Sequence, residues 1–319
     1  MQHHGTVRTG RNNIFDVALA GRAGTSGRVD ADGSVVYTCR IKGKTLRLEE
    51  RAYNPLAPGD EVVLSDLDTL HETAVIRERL PRTNAFQRYN RKREALQTLA
   101  ANVDLVVAVA SVAQPAFRDR FVDRVLALAA HHDLPAALIV TKADLDTGLA
   151  RREAHRYAGL GYETLVVAPD DEAGLAAIVD VLRDRRAVFV GQSGVGKSTL
   201  LNRLAGEELQ RTGEVSARYL RGRHTTNASV LLRAGGLEIV DTPGIRELDC
   251  RHVPLDTLDS CFPEFAPWLG ECALSDCRHA EEPGCAVREA ADSGALDTRR
   301  YESYLRLFGE ISDLQEGEP

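Results

Sequence analysis

The feature of this sequence that most restricts its fold is a set of three short motifs, each directly after an apolar run. In chain order they are Thr141-Lys142-Ala143-Asp144, the glycine-rich loop 191–198 and Asp241-Thr242-Pro243-Gly244. Near-continuous runs of Val, Leu and Ile are typical of parallel strands that are covered on both faces. Because open α/β sheets bind ligands at the carboxyl ends of their strands, the motifs predict one shared site at one edge of a doubly wound sheet.

The central part of the chain alternates between predicted strands and predicted helices, as a doubly wound α/β domain requires. The predicted strands are residues 104–109, 137–140, 164–167, 187–190 and 237–240. The predicted helices are residues 117–130, 175–182 and 198–204. Each of the three motifs begins where one of these strands ends.

The loop 191–198 has the pattern Gly-x4-Gly-Lys-Ser between a predicted strand and a predicted helix, which is the context of a phosphate-binding loop. Its glycines let the backbone curl so that N–H groups and the helix N-terminus face phosphates. Lys197 is expected to reach the β- and γ-phosphates, and Ser198 to bind Mg²⁺. The predicted nucleotide-binding residues of this segment are Gly191, Gln192, Ser193, Gly194, Val195, Gly196, Lys197, Ser198 and Thr199.

The third motif ends another apolar strand, which puts Asp241 where a Walker-B carboxylate holds the metal of a nucleotide. The N–H of Gly244 is then expected to contact the γ-phosphate. Taken alone, Asp-Thr-Pro-Gly is also an ordinary turn after a strand. Its position after a phosphate loop favours the functional interpretation.

The first motif predicts recognition of guanine. Guanine offers N1–H and an exocyclic amine as paired donors, and the carboxylate of Asp144 supplies two acceptors, while Lys142 is expected to lie along the base. Thr141 stands where such loops more often have Asn. A second departure follows the strand 164–167, because Pro169 has no N–H to donate to the guanine O6.

The order of the motifs is unusual, since an ordinary small GTPase has its phosphate loop first and its base-reading loop near its end. Here the base-reading loop precedes the phosphate loop. A circularly permuted GTPase domain is the simplest arrangement that explains this order.

The segment before this domain predicts a small β-barrel. Its short predicted strands are residues 15–19, 34–39, 45–48, 61–64 and 74–76, separated by turns such as Pro58-Gly59-Asp60. Five short strands fit an OB-fold. A generic all-β cap has a similar pattern, so strand number alone does not decide between them.

Charge and composition favour a protein that is neither a membrane protein nor a general nucleic-acid coat. The formal net charge is -7, and no apolar run approaches the roughly 18 residues that cross a bilayer. No secretory signal is predicted, so a cytoplasmic location is expected. Basic residues are nevertheless concentrated in the segment 77–93 and in Arg218, Arg221, Arg223 and His224, which predict either RNA contacts or solvated charged surfaces.

Four potential metal ligands lie close together near the end of the chain. Their spacing is Cys-x4-Cys-x-His-x5-Cys, and three thiolates with one imidazole form a complete tetrahedral set for Zn²⁺. A closed set predicts a structural site, with unpaired buried thiols as the alternative. The predicted ligands are Cys272, Cys277, His279 and Cys285. Cys39, Cys250 and Cys261 lie outside the pattern and are expected to pack as small apolar residues.

With its permuted motif order, preceding barrel, metal pattern and the string Gly222-Arg223-His224-Thr225-Thr226, the chain resembles the family of ribosome small subunit-dependent GTPases. The resemblance covers nearly the whole chain. It implies an N-terminal OB-fold, a permuted P-loop GTPase domain and a C-terminal zinc module. It also implies GTP hydrolysis that is slow alone, is stimulated by the small ribosomal subunit and serves late maturation of that subunit.

The residue after the third motif agrees with slow turnover by the isolated protein. Ile245 stands where Ras-like enzymes have the Gln that orients the attacking water. The resemblance offers His224 as the catalytic replacement. It also implies that Thr225 or Thr226 reaches Mg²⁺ in the GTP state.

The predicted domain limits are 1–82 for the OB-fold, 83–249 for the permuted GTPase domain and 250–319 for the zinc module with its C-terminal helix. The expected partners are the small ribosomal subunit and its rRNA, together with GTP or GDP. No membrane and no DNA are expected as partners, and the expected oligomeric state is a monomer.

Two other functions fit parts of the sequence. The first is a P-loop kinase or ATPase that acts on a small substrate. Such an enzyme does not need Asp144 for recognition of guanine, and equal affinities for GTP and ATP would favour it. An RNA-binding scaffold with a vestigial nucleotide site is the second alternative. The intact Lys197, Ser198 and Asp241 argue against that scaffold.

Overall fold

The computed structural model describes residues 2–11, 13–19, 28–29, 32–42, 54–211, 228–245 and 247–316. Its N-terminal part is a six-stranded sheet whose strands bend round to meet each other. These strands are β1 (His3–Arg11), β2 (Ile14–Leu19), β3 (Arg28–Val29), β4 (Val35–Ile41), β5 (Glu61–Asp68) and β6 (Thr73–Arg79).

Five of these strands close a barrel. β1 pairs with β2 and β5, β2 pairs with β4, and β5 pairs with β6, all antiparallel, while β4 and β6 are parallel and complete the ring. Val17, Tyr37 and Leu64 fill the interior and are fully buried. A closed five-stranded barrel with this pairing has the OB-fold arrangement, so the predicted barrel is confirmed. The predicted strand 45–48 lies outside the described residues.

The central sheet is confirmed as a doubly wound sheet. It has the strand order β11-β10-β9-β12-β14-β13, and all its pairings are parallel except the edge pair β13–β14. Its strands are β9 (Leu105–Ser111), β10 (Ala136–Thr141), β11 (Glu163–Val166), β12 (Arg186–Gly191), β13 (Val230–Ala234) and β14 (Leu237–Asp241). The helices are α1 (Asp119–His131), α2 (Thr147–Gly159), α3 (Glu172–Leu182) and α4 (Lys197–Arg211).

The strand order explains how the motif order is accommodated. β12, which leads into the phosphate loop, lies in the middle of the sheet between β9 and β14. β13 and β14 follow it in the chain on one side, whereas β9, β10 and β11 precede it and occupy the other side. The strands that precede the phosphate loop and those that follow it therefore lie on opposite sides of β12 in one sheet.

The basic segment 77–93 differs from an open basic surface. Much of it belongs to β6 and to a separate hairpin formed by β7 (Ala85–Asn90) and β8 (Ala95–Ala101). Arg82 forms a buried ion pair with Asp60 at 2.7 Å, because a guanidinium in the fold requires a carboxylate partner. Arg88 is half-buried and donates to Gln97 Oε1 at 3.3 Å. Only part of the predicted basic surface therefore faces solvent.

The C-terminal segment packs against the nucleotide domain. It contains two short 3₁₀ turns at Asp259–Cys261 and Pro263–Phe265, then helices α5 (Ala286–Asp292) and α6 (Thr298–Glu316). One hydrophobic core runs from the sheet through α1 into this segment, where Phe262 stacks on Phe265 and Tyr304 meets both rings edge to face. Among the described residues, none of the helices is long and apolar enough to cross a bilayer.

Candidate nucleotide site and metal cluster

The phosphate loop has the conformation that its sequence predicts. Gly194 and Gly196 adopt φ values of 84° and 91°, which a residue with a side chain rarely does. α4 begins at Lys197, so its first-turn N–H groups lack helical acceptors and face the loop. The Lys197 side chain is buried, and its Nζ bonds the Asp241 carboxylate and the Thr242 carbonyl. The hydroxyl of Ser198 has no hydrogen-bond partner among the described residues.

The third motif lies against the phosphate loop. Ile245 N–H donates to the Gly191 carbonyl at 3.1 Å, which continues the contact between the two segments beyond strand β14. A Cβ on Gly244 would lie 3.0 Å from the Cα of Ser193, so this close approach needs glycine. The buried Thr242 hydroxyl donates to the Phe189 carbonyl at 2.7 Å. These contacts hold Asp241 beside the lysine of the phosphate loop.

Thr141 joins the first motif to the phosphate loop. Its hydroxyl is buried and lies within hydrogen-bond distance of two carbonyls, that of Val195 in the phosphate loop and that of Ala110 at the end of β9. Lys142 Nζ donates to the carbonyl of Gln114 in the neighbouring loop. A threonine hydroxyl at position 141 therefore makes a connection between the two loops, although asparagine is more usual there.

Asp144 is the exposed member of this motif. Its carboxylate has no hydrogen-bond or ion-pair partner within the described part of the chain, while Asp146, two residues later, caps α2 by accepting from Leu149 N–H at 2.8 Å. The loop after β11 lies alongside, because Ala143 N–H donates to the Val167 carbonyl at 3.3 Å. Asp144 thus presents two open acceptor atoms at the same sheet edge as the phosphate loop.

The second basic cluster, which includes the predicted catalytic His224, and the two threonines of which one is predicted to reach Mg²⁺ lie outside the described residues. They are Arg218, Arg221, Arg223, His224, Thr225 and Thr226. Their predicted roles remain predictions.

The four predicted metal ligands are brought together. The Sγ atoms of Cys272, Cys277 and Cys285 and the ring nitrogen of His279 all lie within 4.8 Å of one another. His279 Nδ1 is 3.4 Å from Cys272 Sγ and 3.5 Å from Cys285 Sγ. Zinc bonds of about 2.3 Å to sulfur and 2.0 Å to nitrogen at tetrahedral angles separate such ligands by about 3.5 Å. The residues therefore fit one tetrahedral metal ion.

A second set of residues fixes the orientation of the histidine. Asp259 Oδ2 lies 3.4 Å from His279 Nε2, which leaves Nδ1 facing the sulfur atoms. The hydrogen bond to His279 holds the pKa of the Asp259 carboxyl below its usual range. The Tyr301 hydroxyl donates to the His279 carbonyl at 2.8 Å, and the Tyr304 hydroxyl donates to the Arg278 carbonyl.

The other cysteines behave as predicted. Cys39, Cys250 and Cys261 are buried and form no disulfide. Burial raises the pKa of each thiol to about 12, so they remain protonated. They pack as small apolar residues.

Comparison with known proteins identifies the family. The family model described as RsgA GTPase matches residues 79–251. The small ribosomal subunit biogenesis GTPase RsgA of Borreliella burgdorferi (strain ZS7) is 33% identical over 307 residues, which span 96% of this chain and 95% of that protein. The chain belongs to the RsgA GTPase family. It is therefore a GTP-hydrolysing enzyme.

Other RsgA relatives agree over shorter or longer ranges. The RsgA of Chlorobaculum parvum is 41% identical over 228 residues, which cover 71% of this chain and 73% of that protein. The crystal structure of YjeQ from Thermotoga maritima superposes with a TM-score of 0.72 at 25% identity and covers 100% of both chains. YloQ, described as a circularly permuted GTPase, superposes with a TM-score of 0.69 at 26% identity over 100% of this chain and 97% of its own. The predicted permutation and fold are confirmed.

Several residues of this RsgA family member contribute to the site without a sequence signal. Asp259 lies beside His279, but the sequence does not distinguish it from the many other acidic residues. Arg203 of α4 contacts the loop after β11, six residues beyond the lysine of the phosphate loop. Tyr301 and Tyr304 are a partial exception, because their i, i+3 spacing on a predicted helix places them on one face.

Proposed function

We propose that the chain hydrolyses GTP to GDP and phosphate during late maturation of the small ribosomal subunit, and that the subunit stimulates the reaction. The observation that carries the proposal is the meeting of all three motifs at the carboxyl edge of one sheet. There Thr141 joins the base-reading loop to the phosphate loop, and Lys197 contacts Asp241. Membership of the RsgA GTPase family supports the assignment to ribosome biogenesis.

Each segment of the site has a distinct role in this proposal. Residues 191–199 hold the phosphates through backbone N–H groups, and Lys197 leaves Asp241 to contact the β- and γ-phosphates. Asp144 accepts hydrogen bonds from guanine, and Lys142 lies along the base. Gly244 donates its N–H to the γ-phosphate. The open hydroxyl of Ser198 and the carboxylate of Asp241 bind the Mg²⁺ that accompanies GTP, since that ion prefers oxygen ligands.

Positioning of the attacking water falls to a residue other than Ile245. That side chain is buried and apolar, with 4% exposure, and it has no hydrogen-bonding group to orient a water molecule. We assign the task to His224, with Thr225 or Thr226 reaching Mg²⁺. Slow turnover without the subunit and fast turnover with it follow if subunit binding places His224 at the site.

The metal in the four-residue cluster is Zn²⁺ in this proposal. Three thiolates and one imidazole form the donor set of structural zinc sites and leave no position open for a substrate. One zinc ion per chain then stabilises the loop 272–285, which has little secondary structure of its own.

We propose that the protein is a cytoplasmic monomer whose barrel and zinc module bind rRNA. Neither a membrane nor DNA is a partner in this proposal. The proposed domain limits are 1–82 for the barrel, 83–249 for the GTPase domain and 250–319 for the zinc module. The exposed Lys92 at the turn of the β7–β8 hairpin is the part of the segment 77–93 best placed to meet a phosphate backbone.

The test is GTP hydrolysis by the purified protein with and without purified small ribosomal subunits. We expect at least a tenfold rise in turnover with the subunit, none with large subunits, and no hydrolysis by Lys197→Ala under either condition. His224→Ala should bind GTP normally but lose the stimulated rate. Turnover that is indifferent to the small subunit would rule out the proposed function.

A further inference from the structure

The loop that follows β11 is a tight turn built around a proline. Asp171 N–H donates to the Ala168 carbonyl at 3.2 Å, which closes a four-residue turn with Pro169 in the second position. Asp170 is not among the residues with positive φ, so the turn is of type I, in which proline is favoured at this place. Pro169 thus gives the loop a defined shape but removes one N–H from it.

Only two N–H groups of this loop are available to a ligand. Val167 N–H donates to the Val140 carbonyl, and Asp171 N–H closes the turn. The N–H groups of Ala168 and Asp170 have no acceptor among the described residues. The Val167 carbonyl accepts a hydrogen bond from Ala143 N–H in the base-reading loop. In the trans peptide that joins Val167 to Ala168, the Ala168 N–H points in the direction opposite to that carbonyl. Ala168 N–H therefore points away from the base-reading loop, which leaves Asp170.

An arginine on the phosphate-loop helix fixes the shape of the same turn. Arg203 Nη1 donates to the Ala168 carbonyl at 3.2 Å, and its Nη2 contacts Glu172 Oε1 at 2.6 Å. Two donors on one carbonyl fix the plane of the peptide before Pro169, whose ring fixes the next φ. Arg203 therefore restricts the direction of the Asp170 N–H. Arg203 lies on α4, the helix that begins at Lys197.

We propose that the N–H of Asp170 is the hydrogen-bond donor to the guanine O6 and that Arg203 is the positioning residue that orients it. This proposal rests on the guanine-binding function proposed above. It assigns O6 recognition to a turn held by the helix of the phosphate loop. Phosphate binding and recognition of the guanine O6 then both depend on α4.

Nucleotide analogues separate this contact from the others in the site. IDP keeps O6 and N1–H but lacks the exocyclic amine that Asp144 binds. The diphosphate of 2-aminopurine riboside keeps that amine and lacks both O6 and the N1–H, so its affinity is compared only between wild type and variant. A residue that acts through O6 affects GDP and IDP by the same factor and leaves the 2-aminopurine analogue unaffected.

The experiment measures dissociation constants of the full-length chain for GDP, IDP, ADP and 2-aminopurine riboside diphosphate. Arg203→Ala should weaken GDP and IDP binding about fivefold each, the size of one neutral hydrogen bond, and the 2-aminopurine analogue less than twofold. Arg203→Lys, which retains one donor, should recover part of the loss. Glu172→Ala should change nothing, because Glu172 is 83% exposed and its removal leaves the bond to Ala168 intact.

Pro169→Ala supplies an N–H where the loop has none and tests the assignment to Asp170. We expect less than a twofold change for any nucleotide, since O6 already has a donor. A gain of fivefold or more for GDP and IDP alone would show that O6 has no donor in the wild type and would overturn the proposal. Equal losses for all three purine analogues in Arg203→Ala, or no loss, would overturn it as well.

Failure of the wider function gives a different result. If the wild-type chain bound ADP as tightly as GDP, the guanine site itself would be absent, and both proposals would fall. If the wild type preferred GDP and Arg203→Ala lost all nucleotides equally, this proposal would fall and the guanine-binding function would stand.

Discussion

Arg300 of α6 and Asp123 of α1 form a buried ion pair, with Nη1 and Oδ1 2.7 Å apart. Both side chains are almost completely inaccessible to solvent. Asp123 also accepts a hydrogen bond from the Tyr157 hydroxyl of α2 at 2.8 Å, and Arg300 contacts Glu264. The C-terminal helix is thus attached to α1 by charge as well as by the shared apolar core, and Asp123 also joins α1 to α2.

Removing one charge from this pair should destabilise the protein strongly. Arg300→Ala leaves Asp123 and Glu264 buried without their cation, which typically costs about 3–5 kcal/mol of the free energy of unfolding. Urea unfolding followed by circular dichroism measures the change. Arg306→Ala is the matched control on α6, because the Arg306–Glu302 pair is exposed and should contribute less than about 1 kcal/mol. Equal effects of the two variants would contradict the structural importance of the buried pair.

Metal analysis and chelation test the cluster of three cysteines and one histidine. We expect one zinc ion per chain in the wild type and none in Cys272→Ser or Cys285→Ser, since three ligands no longer close the tetrahedron. Cys250→Ala, which removes a buried thiol outside the cluster, should keep its zinc. Removal of the metal with a chelator should expose the loop 272–285 to protease while the barrel remains protected. Wild-type protein without bound zinc would contradict the assignment.

Substitution of the guanine-reading carboxylate should change base preference rather than abolish nucleotide binding. Asp144→Asn replaces one acceptor with a donor, which suits the C2 carbonyl of xanthine and not the exocyclic amine of guanine. GDP binding should fall about 10- to 100-fold, and binding of xanthosine diphosphate should rise. Competition binding with both nucleotides measures the exchange. Asp146→Asn, which keeps an N-cap acceptor on α2, is the control and should leave GDP preferred.

The sequence predicts five of the six strands of the central sheet, because each of those five contains a continuous apolar run. It fails at elements whose burial is mixed. β1 has a mostly polar sequence, in which Val7 is a fully buried apolar side chain. α2 buries Ala150, Glu153 and Tyr157, which include a charged residue. Neither sequence therefore shows a clear hydrophobic period. β13 is not predicted either, since its apolar run is only three residues long and ends before Arg233.

Contacts between distant segments account for the rest of what the sequence could not predict. The cysteine spacing predicts the metal ligands because they are local in the chain. Asp259 and Arg203 reach the sites only through the fold, and the charges of the segment 77–93 look exposed until their carboxylates are known. Asp60 and Asp249 are those partners, from the barrel and from the segment after β14.

Three histidines meet where the hairpin, α1 and the C-terminal segment join. The ring of His131 lies 4.9 Å from that of His132 and 5.4 Å from that of His252, and the last two stack at 5.9 Å. Both ring nitrogens of His252 are buried and have no hydrogen-bond partner among the described residues. Burial and the neighbouring histidines lower the pKa of His132 and of His252 to about 4.

These shifts predict that stability falls as pH is lowered from about 6.5 to 4. In that range the unfolded chain binds protons at both histidines and the folded chain does not, so the free energy of unfolding decreases with decreasing pH. His252→Phe keeps an aromatic ring and removes one titrating group, and its loss of stability between pH 7 and pH 4.5 should be smaller by on the order of 2 kcal/mol. Urea unfolding at both pH values measures this difference, and the metal site contributes equally to both proteins. His155→Phe, at an exposed position of α2, should lose as much stability as the wild type, and the same loss in His252→Phe would show that the cluster does not titrate on unfolding.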